Sequence, residues 1–130
     1  MSSPRWMTLE EVRTLHSIQL AAFGGASGLR DEGLLESALA RPQHRFHYQD
    51  PRPKLAQLAA SYAFGLIRNH PFVDGNKRIG LITAFAFLDL NGLEVAASEE
   101  DTYQVFIEVA AGRMEEEDLS HWLDGHSVNQ

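Results

Sequence analysis

The sequence predicts an all-α fold of about six helices, and three observations carry that reading. Apolar residues recur at helical spacing through nearly the whole chain. Start and stop signals alternate: Thr8, Asp31, Pro53 and Ser98 can open helices, and Gly24-Gly25, Pro42, Pro71 and Asn91-Gly92 can close them. Only residues 92–97 read as a short extended piece.

The elements follow in order. Thr8-Leu9-Glu10-Glu11 is a capping box, with Thr8 as N-cap and Glu11 three residues on. Val12, Leu15, Ile18, Ala22 and Phe23 then form an inward stripe that ends at Gly24-Gly25. Asp31 caps a second helix to about Ala40, where Pro42 is expected to stop it. Residues 42–52, rich in Pro, His, Arg and aromatics, read as a loop. Pro53 suits the first turn of a third helix that runs to about Asn69, with Leu55, Leu58, Ala59, Tyr62, Leu66 and Ile67 facing inward. A fourth helix, about Asn76 to Leu90, is apolar on nearly every side and belongs at the centre of a bundle. Ser98 opens a fifth helix to about Ala111, and a sixth spans about Glu115 to Leu123.

Composition bounds the function. At 130 residues the chain fits one domain, 1–130, with its core between about 8 and 124. A domain of this size buries roughly two-thirds of its unfolded surface, so a 44% apolar chain needs no staple. No cysteine is present, which excludes disulfide and thiol chemistry and suits a reducing compartment. No apolar run reads as a membrane span or a signal peptide, so the cytoplasm is the expected location. A net charge of −7 argues against direct nucleic-acid binding. Most cations lie between Arg41 and Arg78, which predicts a local basic pocket suited to a nucleotide.

Residues 70–80, His-Pro-Phe-Val-Asp-Gly-Asn-Lys-Arg-Ile-Gly, hold the chemistry. The first N–H groups of a helix lack partners, and the dipole there favours an anion. Cations at a helix start oppose that dipole, so Lys77 and Arg78 make sense beside a bound phosphate. Gly75 supplies backbone freedom for the turn, and Asn76 can orient phosphate or metal or merely cap the helix. Asp74 is placed to ligate Mg²⁺, which takes one or two protein carboxylates plus substrate oxygens; a turn or N-cap aspartate is the plainer alternative. His70 is the candidate general base, since imidazole takes a proton near neutral pH; a dipole-stabilised C-terminal histidine is its alternative. Phe72 reads as a core anchor, and Arg68 as either a phosphate contact or a surface residue. His44 and His47 with His70 form a weaker metal candidate; His16, His121 and His126 have no companions. Walker, His-Glu-x-x-His, Gly-x-Ser-x-Gly and dinucleotide motifs are absent.

The 70–78 run resembles the Fic/Doc signature, His-x-Phe-x-(Asp/Glu)-(Gly/Ala)-Asn-(Gly/Lys)-Arg, with Lys77 at the place that marks the Doc, or death-on-curing, branch. Residues 30–39 and 110–113 also look Doc-like. The usual Fic motif has a further Arg three residues after Arg78, where this chain has Leu81. The resemblance implies a toxin that moves phosphate from ATP, with Mg²⁺, to a Ser or Thr of a translation factor, elongation factor Tu above all. His70, Asp74 and Arg78 would be catalytic, and Gly75, Asn76, Lys77 and Arg78 would bind the nucleotide. It also implies a separate antitoxin chain, because the inhibitory motif Ser/Thr-x-x-x-Glu-(Gly/Asn) is absent here. Family members dock the acceptor on a flap upstream of the motif, and residues 42–52 match its place in order, with Phe46 as the contact. Two other readings stay open: a Fic-type transferase of AMP, and a catalytically silent binding module of the same fold.

Overall fold

The computed structural model describes residues 3–130. Among these, six helices follow in order: α1 (Leu9–Phe23), α2 (Glu32–Tyr48), α3 (Leu55–Asn69), α4 (Asn76–Leu90), α5 (Glu99–Ala110) and α6 (Glu116–His126). Two short strands, β1 (Leu93–Val95) and β2 (Ser127–Asn129), pair antiparallel with Leu93 opposite Asn129. The fold is all-α, as the periodicity predicts.

The helix starts are where the side chains demand them. Thr8 Oγ1 accepts from Glu11 N at 3.1 Å while Thr8 N donates to Glu11 Oε1 at 2.9 Å, which completes the capping box. Asp31 Oδ1 accepts from Leu34 N, and Ser98 Oγ accepts from Asp101 N, both at 3.0 Å.

The central pair is α3 and α4. Every residue of α3 from Ala56 to Leu66 except Gln57 is buried. Its partner α4 buries Ile79, Leu81, Ala84, Phe87 and Leu88. The two helices cross closely at Gly80, where a β-carbon would lie 2.8 Å from Ala63 O. That contact fixes the N-terminal end of α4 against α3. Tyr62 lies wholly inside, and burial pushes its phenol up to about 12.

Three expectations are corrected. First, α2 does not stop at Pro42 but runs on to Tyr48, with Pro42 buried inside it. A proline there leaves the carbonyl four residues back without its helical donor. That carbonyl, Ala38 O, is covered by α3 at Gly65, where a β-carbon would sit 3.3 Å away. Beyond the proline, Phe46 anchors the helix: it is 4% exposed and meets Trp6 edge-on at 5.7 Å. Phe46 is therefore a core residue and cannot dock a target, and residues 42–48 are helix rather than flap.

Second, α1 buries Val12, His16 and Gln19, whereas Ile18 and Phe23 are 59% and 68% exposed. Third, the cations from Arg41 to Arg68 do not build one basic pocket. Arg41, Arg45 and Arg68 converge on Glu116, at 2.9, 3.1 and 3.3 Å. Burial, more than the repulsion of Arg41, holds the Arg45 guanidinium below its ordinary value, and Glu116 opposes both. This cluster ties α2, α3 and α6 together. No group of three His, Asp or Glu side chains is placed to hold a metal among the described residues, so the site from His44, His47 and His70 does not form.

Candidate active site

The site begins where α3 ends. His70 caps the helix in the left-handed conformation, φ 50° and ψ 53°, and its N–H donates to Leu66 O at 3.1 Å. Pro71 follows and disfavours the right-handed helical region for the residue before it. His70 is exposed at the rim of a cleft.

The loop from His70 to Gly75 is braced from within. Asn76 is buried; its Oδ1 accepts from Phe72 N and its Nδ2 donates to Phe72 O, both at 3.0 Å. Both ends of this amide are thus spent on the loop. The expected contact of the Asn76 side chain with phosphate is replaced by a structural one, and only its backbone N–H faces outward chemistry. Phe72 is buried, as expected of an anchor, and stacks on His16 with centroids 3.8 Å apart. His16 Nε2 donates to Asp74 O at 2.8 Å, since a carbonyl can only accept.

Asp74 receives two amide protons. Ala26 N reaches Oδ2 at 3.2 Å, and Gly75 N reaches Oδ1 at 2.8 Å. These two bonds hold the carboxyl below the usual aspartate range; desolvation opposes them, and Arg78 and His16 add smaller contributions in their favour. Asp74 is therefore an exposed carboxylate, ionised at neutral pH. Gly75 has φ 78°, a conformation that strains any side chain, and a β-carbon there would press on the end of the Gln19 amide.

The first intrahelical bond of α4 is Ile79 N to Gly75 O, at 2.9 Å. The N–H groups of Asn76, Lys77 and Arg78 precede it and have no helical partner. Lys77 Nζ donates to Ala110 O, the last turn of α5, at 2.6 Å. Arg78 donates to Gln19 Oε1 at 3.1 Å and lies 4.7 Å from the Phe23 ring centroid. Both cations are held by uncharged groups.

All six predicted motif residues, His70 and Asp74 to Arg78, line one cleft of about 620 Å³. Ile67, Leu81 and Phe106 form its apolar wall. The structure therefore brings together what the motif predicts, apart from Phe46. It also adds three residues that were not singled out: His16, Gln19 and Arg30. For the first two a signal exists, because Val12, His16 and Gln19 lie one above another on a helix.

A profile of the Fic/DOC family matches residues 6–88. Toxin Doc of Mycolicibacterium smegmatis is 45% identical over 92 residues, which cover 71% of this chain and 68% of that protein. Protein kinase doc of Escherichia phage P1 is 35% identical over 96 residues, 74% of this chain and 75% of that protein. With the braced motif loop and the helical frame beneath it, these matches mean that the chain belongs to the Fic/DOC family.

Proposed function

We propose that this protein is a Doc-like toxin that phosphorylates a Ser or Thr hydroxyl of a translation factor, with elongation factor Tu as the first candidate. ATP would be the donor and Mg²⁺ its metal. The observation that carries this reading is the convergence of His70, Asp74 and the open N-terminus of α4 on one cleft.

The residues present fit a magnesium nucleotide. Three free N–H groups, Lys77 and Arg78 suit phosphate oxygens. Asp74 is a hard, ionised oxygen donor beside them, and a single carboxylate suffices where phosphates complete the shell. When bound, Mg²⁺ would offset the charge of the phosphates. His70 takes the proton of the acceptor hydroxyl. The hydroxyl oxygen then forms a bond to the γ-phosphorus as the bond to the bridging oxygen breaks, and ADP leaves. Most of the catalysis is positioning and charge stabilisation.

The acceptor needs a place to lie. Leu29 and Phe72 form an antiparallel bridge, flanked by Val73 N to Gly28 O and Arg30 N to Pro71 O. In that pattern the N–H and C=O of Leu29 point away from the motif loop, and neither has a partner among the described residues. An extended acceptor segment pairs there by main-chain hydrogen bonds. This assigns to residues 28–30 the docking role first expected of residues 42–52.

AMP transfer is the second reading, favoured by the Asp74-Gly75-Asn76 turn and its N–H cradle. Leu81 weighs against it, because this buried side chain puts no second guanidinium in the wall. That its relatives are a toxin and a protein kinase supports phosphate transfer and a separate antitoxin chain as partner. Intact mass of elongation factor Tu after incubation with protein, ATP and Mg²⁺ tests the reading. A gain of one phosphate, absent with His70→Ala, is expected; a gain of one AMP would replace it with the second reading, and no gain would strike this acceptor.

A further inference from the structure

Three consecutive carbonyls where α3 passes into the motif loop are held by two residues of the α1–α2 connection. Arg30 Nη2 donates to Asn69 O at 3.0 Å, and Arg30 Nε donates to His70 O at 2.7 Å. The backbone N–H groups of Arg30 and Asp31 both donate to Pro71 O, at 2.7 and 3.0 Å. His70 is the sole non-glycine residue with positive φ among the described residues. That conformation crowds a β-carbon against the following carbonyl and persists only where the surroundings impose it.

We propose that Arg30 is a positioning residue: its guanidinium fork locks the peptides on both sides of the His70 α-carbon and so aims the imidazole into the cleft. The proposal rests on the reading of His70 as general base. The chemistry favours arginine specifically. The two carbonyls lie at the C-terminus of α3, where the helix dipole favours a cation. A planar fork spans two neighbouring acceptors, which an ammonium point charge does not. Neither carbonyl has another donor among the described residues.

The arrangement also separates positioning from folding. Leu29 to Asp31 stays paired with the loop through backbone bonds to Pro71 O and from Val73 N, which no side-chain change removes. The Asn69 amide independently donates to Leu34 O at 2.9 Å. Loss of the Arg30 side chain therefore frees the His70 peptide while the loop stays docked. Arg30 lines no part of the nucleotide cleft.

Arg30→Gln and Arg30→Lys test the proposal in the full chain. Backbone and Cβ chemical shifts of His70 report its conformation without any turnover. Arg30→Gln is expected to move them away from left-handed values, and Arg30→Lys to move them part of the way. In transfer assays kcat should fall by about a hundredfold for Gln, the scale of a reacting group displaced by 1 Å. The Kd for ATP with Mg²⁺ should stay within about twofold, because the phosphate-binding groups are untouched. Unchanged His70 shifts would overturn the proposal, as would a kcat loss matched by an equal loss of nucleotide affinity. A wild-type protein that transfers nothing would strike the acceptor used rather than this proposal, which the His70 shifts of Arg30→Gln then decide alone: moved shifts uphold the hold on the loop, and unmoved shifts overturn it.

Discussion

Arg41, Arg45 and Arg68 crowd around Glu116 between α2, α3 and α6, whereas Lys77 and Arg78 open α4 beside the cleft. Both groups gather cations in a chain of net charge −7. Their partners differ. The three guanidiniums share a carboxylate, and Arg41 also donates to Ser61 O and Oγ. The pair on α4 is held by a carbonyl, an amide oxygen and an aromatic face, all uncharged. A cation that already shares an anion is a structural strut; one held by neutral groups keeps its charge for a ligand. Sequence position says nothing of this distinction, and partner identity decides it.

The sharpest way to break the comparison is to remove His70, the proposed base, which lines the same cleft as Lys77 and Arg78. His70→Ala should cut transfer by about a thousandfold, within the range of positioned acid–base catalysis. Its unfolding midpoint should nearly hold, since the exposed imidazole makes no hydrogen bond among the described residues and Ala keeps the same β-carbon at this left-handed position. Single-turnover kinetics and denaturant titration check both halves. Transfer at the wild-type rate would remove His70 from the mechanism.

Glu116→Ala should do the reverse. It leaves three guanidiniums facing one another with no anion between them. The loss is well below that of a fully buried pair, because the side chains of Arg41, Arg45 and Arg68 are 34%, 23% and 55% exposed. About 2 kcal/mol of unfolding free energy should vanish with nucleotide affinity intact. A loss of nucleotide affinity without a loss of stability would mean that the two cation groups are one electrostatic unit after all.

Asn76→Ala comes next and links the two behaviours. It strands the N–H and C=O of buried Phe72, a loss of about 2 kcal/mol for one amide side chain and two unmet groups. The loop should loosen and nucleotide affinity should fall with it, as calorimetric titration against urea unfolding would reveal. Stability lost at unchanged affinity would show that the cradle does not depend on this brace.

Helix count, caps and the motif cleft were legible because each follows from local rules. Thr8, Asp31 and Ser98 sit where capping chemistry puts them. The run of α2 past Pro42 was not legible, because what supports it lies outside α2, in the close seat of α3 at Gly65 and the packing of Phe46 on Trp6. The inward face of α1 departs from the apolar pattern for a related reason. Apolar periodicity points to Ile18 and Phe23, but the neighbour of α1 is the motif loop, whose polar backbone selects His16 and Gln19. For Arg30, nothing local marks a side chain that reaches 40 residues along the chain to His70 O. Local signals place elements, and long-range partners of unpaired carbonyls escape them.

The smallest expected effect concerns Asp74 and is a matter of pH. Its carboxyl is held below the 3.8 ordinary for an aspartate, chiefly by the Ala26 and Gly75 amides. A carboxyl lowered in the folded state contributes stability that is fully present above its unfolded value and lost as pH falls through the folded one. The melting temperature of the wild type minus that of Asp74→Asn should therefore stay constant from pH 8 to 5. It should shrink only below the ordinary aspartate range, as the proton displaces the two amide bonds. Taking the difference cancels the other acids of the chain, which titrate equally in both proteins. A difference that already declined between pH 6 and 5 would mean that the carboxyl titrates above its ordinary range. The Ala26 and Gly75 amides would then not govern the carboxyl, and the cations of α4 would stand beside a group that loses its charge on mild acidification.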